Sequence, residues 1–134
     1  MPDSGDRASG LREGLDSLAR RFGIADLYVF GSRAGEIAAR VRGSIEPPRA
    51  PSESDADIAV RPRFGVRFEA SDRVDLTLAL EELLRVPRVD LVVLPEAGAF
   101  LALAAISGEL LYCDNSTDQA EHELYVLRRA GDLL

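Results

Sequence analysis

Lysine is absent from this sequence, so any mechanism that needs a catalytic lysine is excluded. Apart from His122, every basic residue is an arginine. The one cysteine, Cys113, excludes an internal disulfide and a cysteine-rich metal site. No apolar run approaches the roughly 18 residues of a membrane helix. The longest candidate, Ala97–Gly108, reads as a buried core helix, and the first residues lack the apolar stretch of a signal peptide. Together these absences describe a cytoplasmic protein with no membrane segment. Positive charge is short as well: the net charge is −7, which argues against broad nucleic-acid binding. What remains is ordinary: 134 residues, 46% hydrophobic and 29% charged, enough for one globular domain with a real core.

The patterning predicts alternating elements. Residues 1–8 read as a polar, flexible tail. Leu11, Leu15, Leu18 and Phe22 recur on one helical face, ending at Gly23. "ADLYVFG" is the first strand, and "RAGEIAARVR" is helix-permissive. Residues 43–54, "GSIEPPRAPSES", carry three prolines and no periodicity, and read as an inserted loop. "DIAVRP" is the second strand, Asp72–Leu84 a helix, and "RVDLVVLP" the third strand. Gly98–Ile106 is the buried helix, "ELLYC" the fourth strand, and residues 119–133 the last helix. On that helix Leu124, Leu127 and Leu134 fall near one stripe, which either packs on the core or docks a partner. His122 reads as a surface residue and Cys113 as a plain strand end. Tyr112 and Tyr125 read as packing only.

Two stretches carry chemistry. "LYVFGSRAG" breaks a core strand at Gly31-Ser32, and "SDADIAV" sets Asp55 and Asp57 just ahead of another strand. The end of the first strand meets the start of the second only if the two run antiparallel. Asp90, at the start of the third strand, joins them if strands two and three are parallel, with the Asp72–Leu84 helix as crossover. The expected fold is therefore α+β, a mixed four-stranded sheet packed with helices. Period two puts Asp57 on the face of Ala59 and Asp90 on the face of Val92. Two carboxylates 4 Å apart repel by about 4 kcal/mol at an effective dielectric near 20. A divalent cation removes that penalty, and hard oxygen donors select Mg²⁺ or Mn²⁺. Two such ions could share the three acids, one on a nucleotide's phosphates and one on an attacking hydroxyl. Gly31 would let the backbone approach those phosphates, and Ser32 would add donors at the mouth of a helix. Arg33 is a candidate for charge neutralisation. Singly, Gly-Ser is a turn and Asp-x-Asp is cap chemistry; the combination points to nucleotidyl transfer from a triphosphate.

"FGSRAG", "SDADIAV" and "VDLVVL" together resemble the minimal nucleotidyltransferase family of the DNA polymerase β-like superfamily, over roughly Leu11–Tyr112. The resemblance implies a polymerase β-like fold in one domain spanning residues 1–134. It also implies that Gly31 and Ser32 bind the triphosphate. By the same resemblance, Asp55 and Asp57 are expected to hold metal, and Asp90 to complete the metal site and help activate the acceptor. The connection from Arg33 to Ser54 is about twice the usual length in the family, a cheap change for a surface loop. Free-standing members this small resemble the antitoxin half of toxin–antitoxin pairs. Their partner is a HEPN-family ribonuclease, and AMP passes from ATP to a tyrosine of that toxin. The toxin's own Arg-x4-6-His motif is absent here. A binding module acting by contact alone, and a transferase for a small-molecule acceptor that dimerises, remain as alternatives. The oligomeric state stays open, a homo-oligomer included.

Overall fold

The computed structural model describes residues 4–43 and 55–134, with side chains from residue 10 onward. Most of the inserted loop at 43–54 lies outside the described residues. Among the described residues, five α-helices and four strands follow one another as α1 (Ser4–Phe22), β1 (Ile24–Phe30), α2 (Ala34–Val41), β2 (Ala56–Pro62), α3 (Ala70–Leu84), β3 (Val89–Val93), α4 (Ala99–Ile106), β4 (Glu109–Cys113) and α5 (Ser116–Gly131). Short 3₁₀ turns at Gly31–Arg33 and Leu94–Glu96 lead into α2 and α4. No described helix is long and apolar enough to cross a membrane.

The strands form one sheet in the order β3-β2-β1-β4. β1 runs antiparallel to both β2 and β4, while β2 and β3 are parallel with α3 as the crossover. This is the mixed sheet expected from the motifs. Side chains alternate between two cores because successive strand residues point to opposite faces. Leu27, Val29, Ile58 and Val60 meet Leu15, Ile37, Leu76 and Leu80 on the first face. Tyr28, Phe30 and Ala59 meet Ala102, Ala105, Ile106 and Val126 on the second. A sheet covered on both sides explains why β1 is buried at every position and is apolar apart from Asp26.

Several boundaries differ from the expected ones. α1 begins at Ser4, inside the stretch read as a tail, because adding residues to a formed helix costs far less than nucleating one. α3 begins at Ala70, where Glu69 and Asp72 close a reciprocal capping box. α5 begins at Ser116 because the Asn115 side chain accepts from the Asp118 amide at 2.9 Å. α4 is not fully buried: Phe100 and Leu101 are exposed, while Ala99, Ala102 and Ala105 face the sheet. On α5 the packed residues are Gln119, Val126 and Ala130, so the Leu124–Leu127–Leu134 stripe points to solvent. Small residues sit closest to the sheet, and the leucines lie off that line.

Candidate active site

The strand pairing gathers the chemistry at one end of the sheet. Phe30 pairs with Asp57 across β1 and β2, and Asp57 pairs with Asp90 across β2 and β3. Gly31 therefore follows β1 directly beside the Asp57 carboxylate. Its φ is +78°, a left-handed conformation that side chains rarely adopt. A Cβ built at Gly31 would lie 2.4 Å from Asp57 Oδ2, so no side chain fits there unless the carboxylate moves. Sequence alone offered the glycine as a close-approach site for phosphates. The structure adds that its own acid is what crowds it.

Beyond Gly31, Ser32 is exposed, and neither the 3₁₀ turn nor α2 has a side-chain cap on its first amides. The Ala34 amide that opens α2 already donates to the Gly31 carbonyl, so the backbone donors offered to an anion are those of the turn itself, at Gly31 and Ser32. Arg33, the candidate for charge neutralisation, does not stand open beside them. It is 4% exposed, and its guanidinium donates to Glu36 at 3.1 and 3.2 Å. Arg40 donates to the same carboxylate at 2.6 Å and to the Leu84 carbonyl at 2.9 Å. Arg33 and Arg40 hold the Glu36 carboxyl below the usual range. That cluster fixes α2, and with it the Gly31–Arg33 turn.

The Asp57 carboxyl is pushed above the ordinary range, first by burial and then by the charges of Asp90 and Asp55. The three acids thus sense one another, but they do not converge. Among the described residues, no group of three His, Cys, Asp or Glu side chains stands in a metal-holding arrangement. Arg88, which sequence reading passed over, lies between two of them, with Nε 3.5 Å from Asp90 and 3.9 Å from Asp55. Its signal was available: Arg88 precedes Asp90 by two residues, hence on the same face of the strand. Its carbonyl also accepts from the Ala56 amide at 3.0 Å, next to Asp55. By chemistry the donors fit a hard divalent cation, since all are carboxylate oxygens. Arg88 is 69% exposed and can swing aside.

A second polar cluster was also unforeseen. Asp26 on β1 is wholly buried and paired at 2.5 Å with Arg61, which also holds Asp118 at 2.8 Å. Burial raises the Asp26 carboxyl despite that partner. Nearby, Gln119 donates to the Tyr28 hydroxyl at 2.7 Å, and burial pushes that phenol up to about 12. His122 is half-buried rather than on the surface, with Nδ1 enclosed and unpartnered among the described residues. Burial and Arg61 lower its pKa. Cys113 closes β4, and the Tyr112 hydroxyl bonds Asp114.

No protein-family model and no curated protein matches the chain. Solved structures do. A toxin–antitoxin structure with AMP-PNP superposes with a TM-score of 0.66 at 22% identity, over 91% of this chain and 88% of that one. The Shewanella oneidensis complex of a tri-AMPylated HEPN toxin with its MNT antitoxin gives 0.65 at 19%, over 94% and 88%. A structure described as a minimal nucleotidyltransferase is 33% identical, with a TM-score of 0.52, over 75% of this chain and 88% of that one.

Proposed function

The chain belongs to the minimal nucleotidyltransferase family, and from that premise we propose that it transfers AMP from ATP to a hydroxyl of a partner protein. We infer that the partner is a HEPN-type toxin and that the chain is its antitoxin. One observation carries the reading: the Gly31 backbone lies against the Asp57 carboxylate. The phosphate-binding turn and the acids are therefore parts of a single site.

In that site the Gly31 and Ser32 amides and the Ser32 hydroxyl hold the triphosphate. Arg33, tied to Glu36, keeps the turn in place. Asp55, Asp57 and Asp90 would hold Mg²⁺, as one ion or two, with Mn²⁺ as a substitute. When bound, the metal neutralises phosphate charge and makes an acceptor hydroxyl more acidic. The acceptor oxygen attacks the α-phosphorus as the bond to the bridging oxygen of the β-phosphate breaks. Pyrophosphate leaves, and the hydroxyl proton passes to a site carboxylate, with Asp90 as the candidate base. Burial and the charges of Asp90 and Asp55 raise the Asp57 carboxyl, and a bound cation would favour its ionised form.

A second reading has its own support. Arg88 sits where a cation would balance Asp55 and Asp90, as expected of a protein that neutralises its partner by contact alone. The experiment that separates them mixes the full chain with Mg²⁺, ATP labelled at the α-phosphate and the product of the adjacent gene. An Asp55→Ala/Asp57→Ala control runs in parallel. Label on the partner that vanishes in the control supports transfer. No label, with the partner bound equally by both versions, supports contact alone.

A further inference from the structure

Asp90 reaches the site along the connection 85–88, which leaves α3 and enters β3. A helix leaves its last carbonyls without partners of its own, and Leu84 is the last residue of α3. That carbonyl is met from outside: Nη1 of Arg40, on α2, donates to it at 2.9 Å. Arg85 then turns the chain with φ +55° and ψ +48°, a left-handed conformation uncommon for arginine. Further bonds carry the chain to Asp90. The Val86 amide donates to the Glu81 carbonyl at 3.2 Å, and the Val89 amide to the Glu81 carboxylate at 2.9 Å. The Arg88 carbonyl accepts from Ala56, at the start of β2.

The other arm of Arg40 serves the phosphate-binding turn. Its Nη2 donates to Glu36 at 2.6 Å, and Glu36 also accepts from Arg33, the last residue of that turn. One guanidinium therefore stands between the two halves of the site, with Gly31–Arg33 on one side and the entry to β3 on the other. Arg40 is 5% exposed, and its Nε is buried with no partner among the described residues. As a source of stability this is a poor choice, since an apolar side chain of similar volume avoids desolvating a charge. What arginine adds is geometry, a planar fork that holds its donors at a fixed spacing.

We propose that Arg40 is a positioning residue that sets the distance between the phosphate-binding turn and Asp90. The proposal rests on the transfer reading, in which the turn holds the triphosphate and Asp90 acts on the acceptor. Arg40 acts through Glu36 and Arg33 at one end, and through the Leu84 carbonyl and the connection 85–88 at the other. A reacting group misplaced by about 1 Å costs on the order of a hundredfold in rate. The triphosphate, by contrast, stays bound by the turn's own amides. Loss of the fork should therefore appear in kcat and spare KM for ATP.

Steady-state transfer is measured with Mg²⁺, ATP labelled at the α-phosphate and the product of the adjacent gene. Arg33 still pairs with Glu36 when Arg40 is replaced, so Arg40→Met leaves no unpaired carboxylate there. The expected result is a kcat lower by roughly tenfold or more, with KM for ATP changed by less than about threefold. Arg40→Lys keeps the charge but not the fork, should lose rate as well, and carries the test if Arg40→Met does not fold. Amide hydrogen exchange on the chain alone needs no transfer. In both variants it should quicken in 31–36 and 85–90 together, while β4 exchanges as in the parent. A parent that labels no partner counts against transfer, and exchange then decides the spacing by itself. A loss confined to KM, transfer by Arg40→Lys at the parent's rate, or quickened exchange in fewer than both segments overturns the proposal.

Discussion

Gly31→Ala is the sharpest single perturbation of the site. Two costs arise from the structure. Holding alanine at φ +78° costs about 1–2 kcal/mol. The new Cβ would also lie 2.4 Å from Asp57 Oδ2, against about 3.5 Å for comfortable contact, so the carboxylate must rotate. A side chain pushed about 30° off its rotamer costs a further 0.5–1.5 kcal/mol. The sum, about 1.5–3.5 kcal/mol, corresponds to a melting temperature lower by roughly 5–15 °C in a domain of this size. Circular dichroism melts give the stability change. The attribution to Asp57 is tested by a double-mutant cycle with Asp57→Ala, which should show coupling of about 0.5–1.5 kcal/mol. Nucleotidyl transfer should fall well beyond what the lost stability explains, because the carboxylate is displaced. Gly35→Ala is the control: nothing lies within 4 Å of its added Cβ and it is helical, so it should be neutral or stabilise by up to about 1 kcal/mol. A Gly31→Ala variant that melts with the parent, or whose effect simply adds to that of Asp57→Ala, refutes the packing argument.

Three further outcomes follow from the charges. Asp57→Asn should raise the melting temperature at pH 7 without divalent cations. The Asp57 pKa is raised in the folded chain, so its ionisation opposes folding as pH rises through that value; the gain should vanish in the ordinary carboxylate range. Arg61→Ala should cost several kcal/mol at pH 7, about 3–5 where a buried charge is left uncompensated. Part of that loss should return as pH falls and Asp26, raised further without its partner, takes up a proton; melts between pH 5 and 8 would show a flat difference if Asp26 were irrelevant. Arg88→Gln should change stability by less than about 0.5 kcal/mol yet tighten Mg²⁺ binding severalfold, since the cation no longer displaces a guanidinium. Unchanged or weaker binding by calorimetry would remove Arg88 from the site.

The sheet was legible because its motifs impose a topology. Gly31 ends one strand and Asp57 begins the next, so only an antiparallel pair brings them together, and a third acid at the start of β3 demands a crossover. Strand β4 was bounded at the residues the structure gives, Glu109–Cys113, because apolar residues fill a short run between Gly108 and Asp114. Less legible were features that depend on partners distant in sequence. The tie of Arg33 to Glu36, three residues on, becomes visible only once α2 is formed and Arg40 closes the cluster. Asp26 looked like part of an apolar strand, and nothing nearby announced Arg61, 35 residues away, as its counter-ion. Helix starts moved by a turn where caps decided them, as Asn115 did for α5. The readings of Gly31, Ser32 and the three acids rested on order and spacing, which local sequence does carry.

The strand order has a consequence for access. β3, which bears Asp90, is an edge strand, with β2 on one side and no described strand on the other. Nothing in the sheet therefore walls off the flank of the acid cluster. Among the described residues, a body approaching along β3 meets no further strand before the carboxylates, where a central strand would be flanked on both sides.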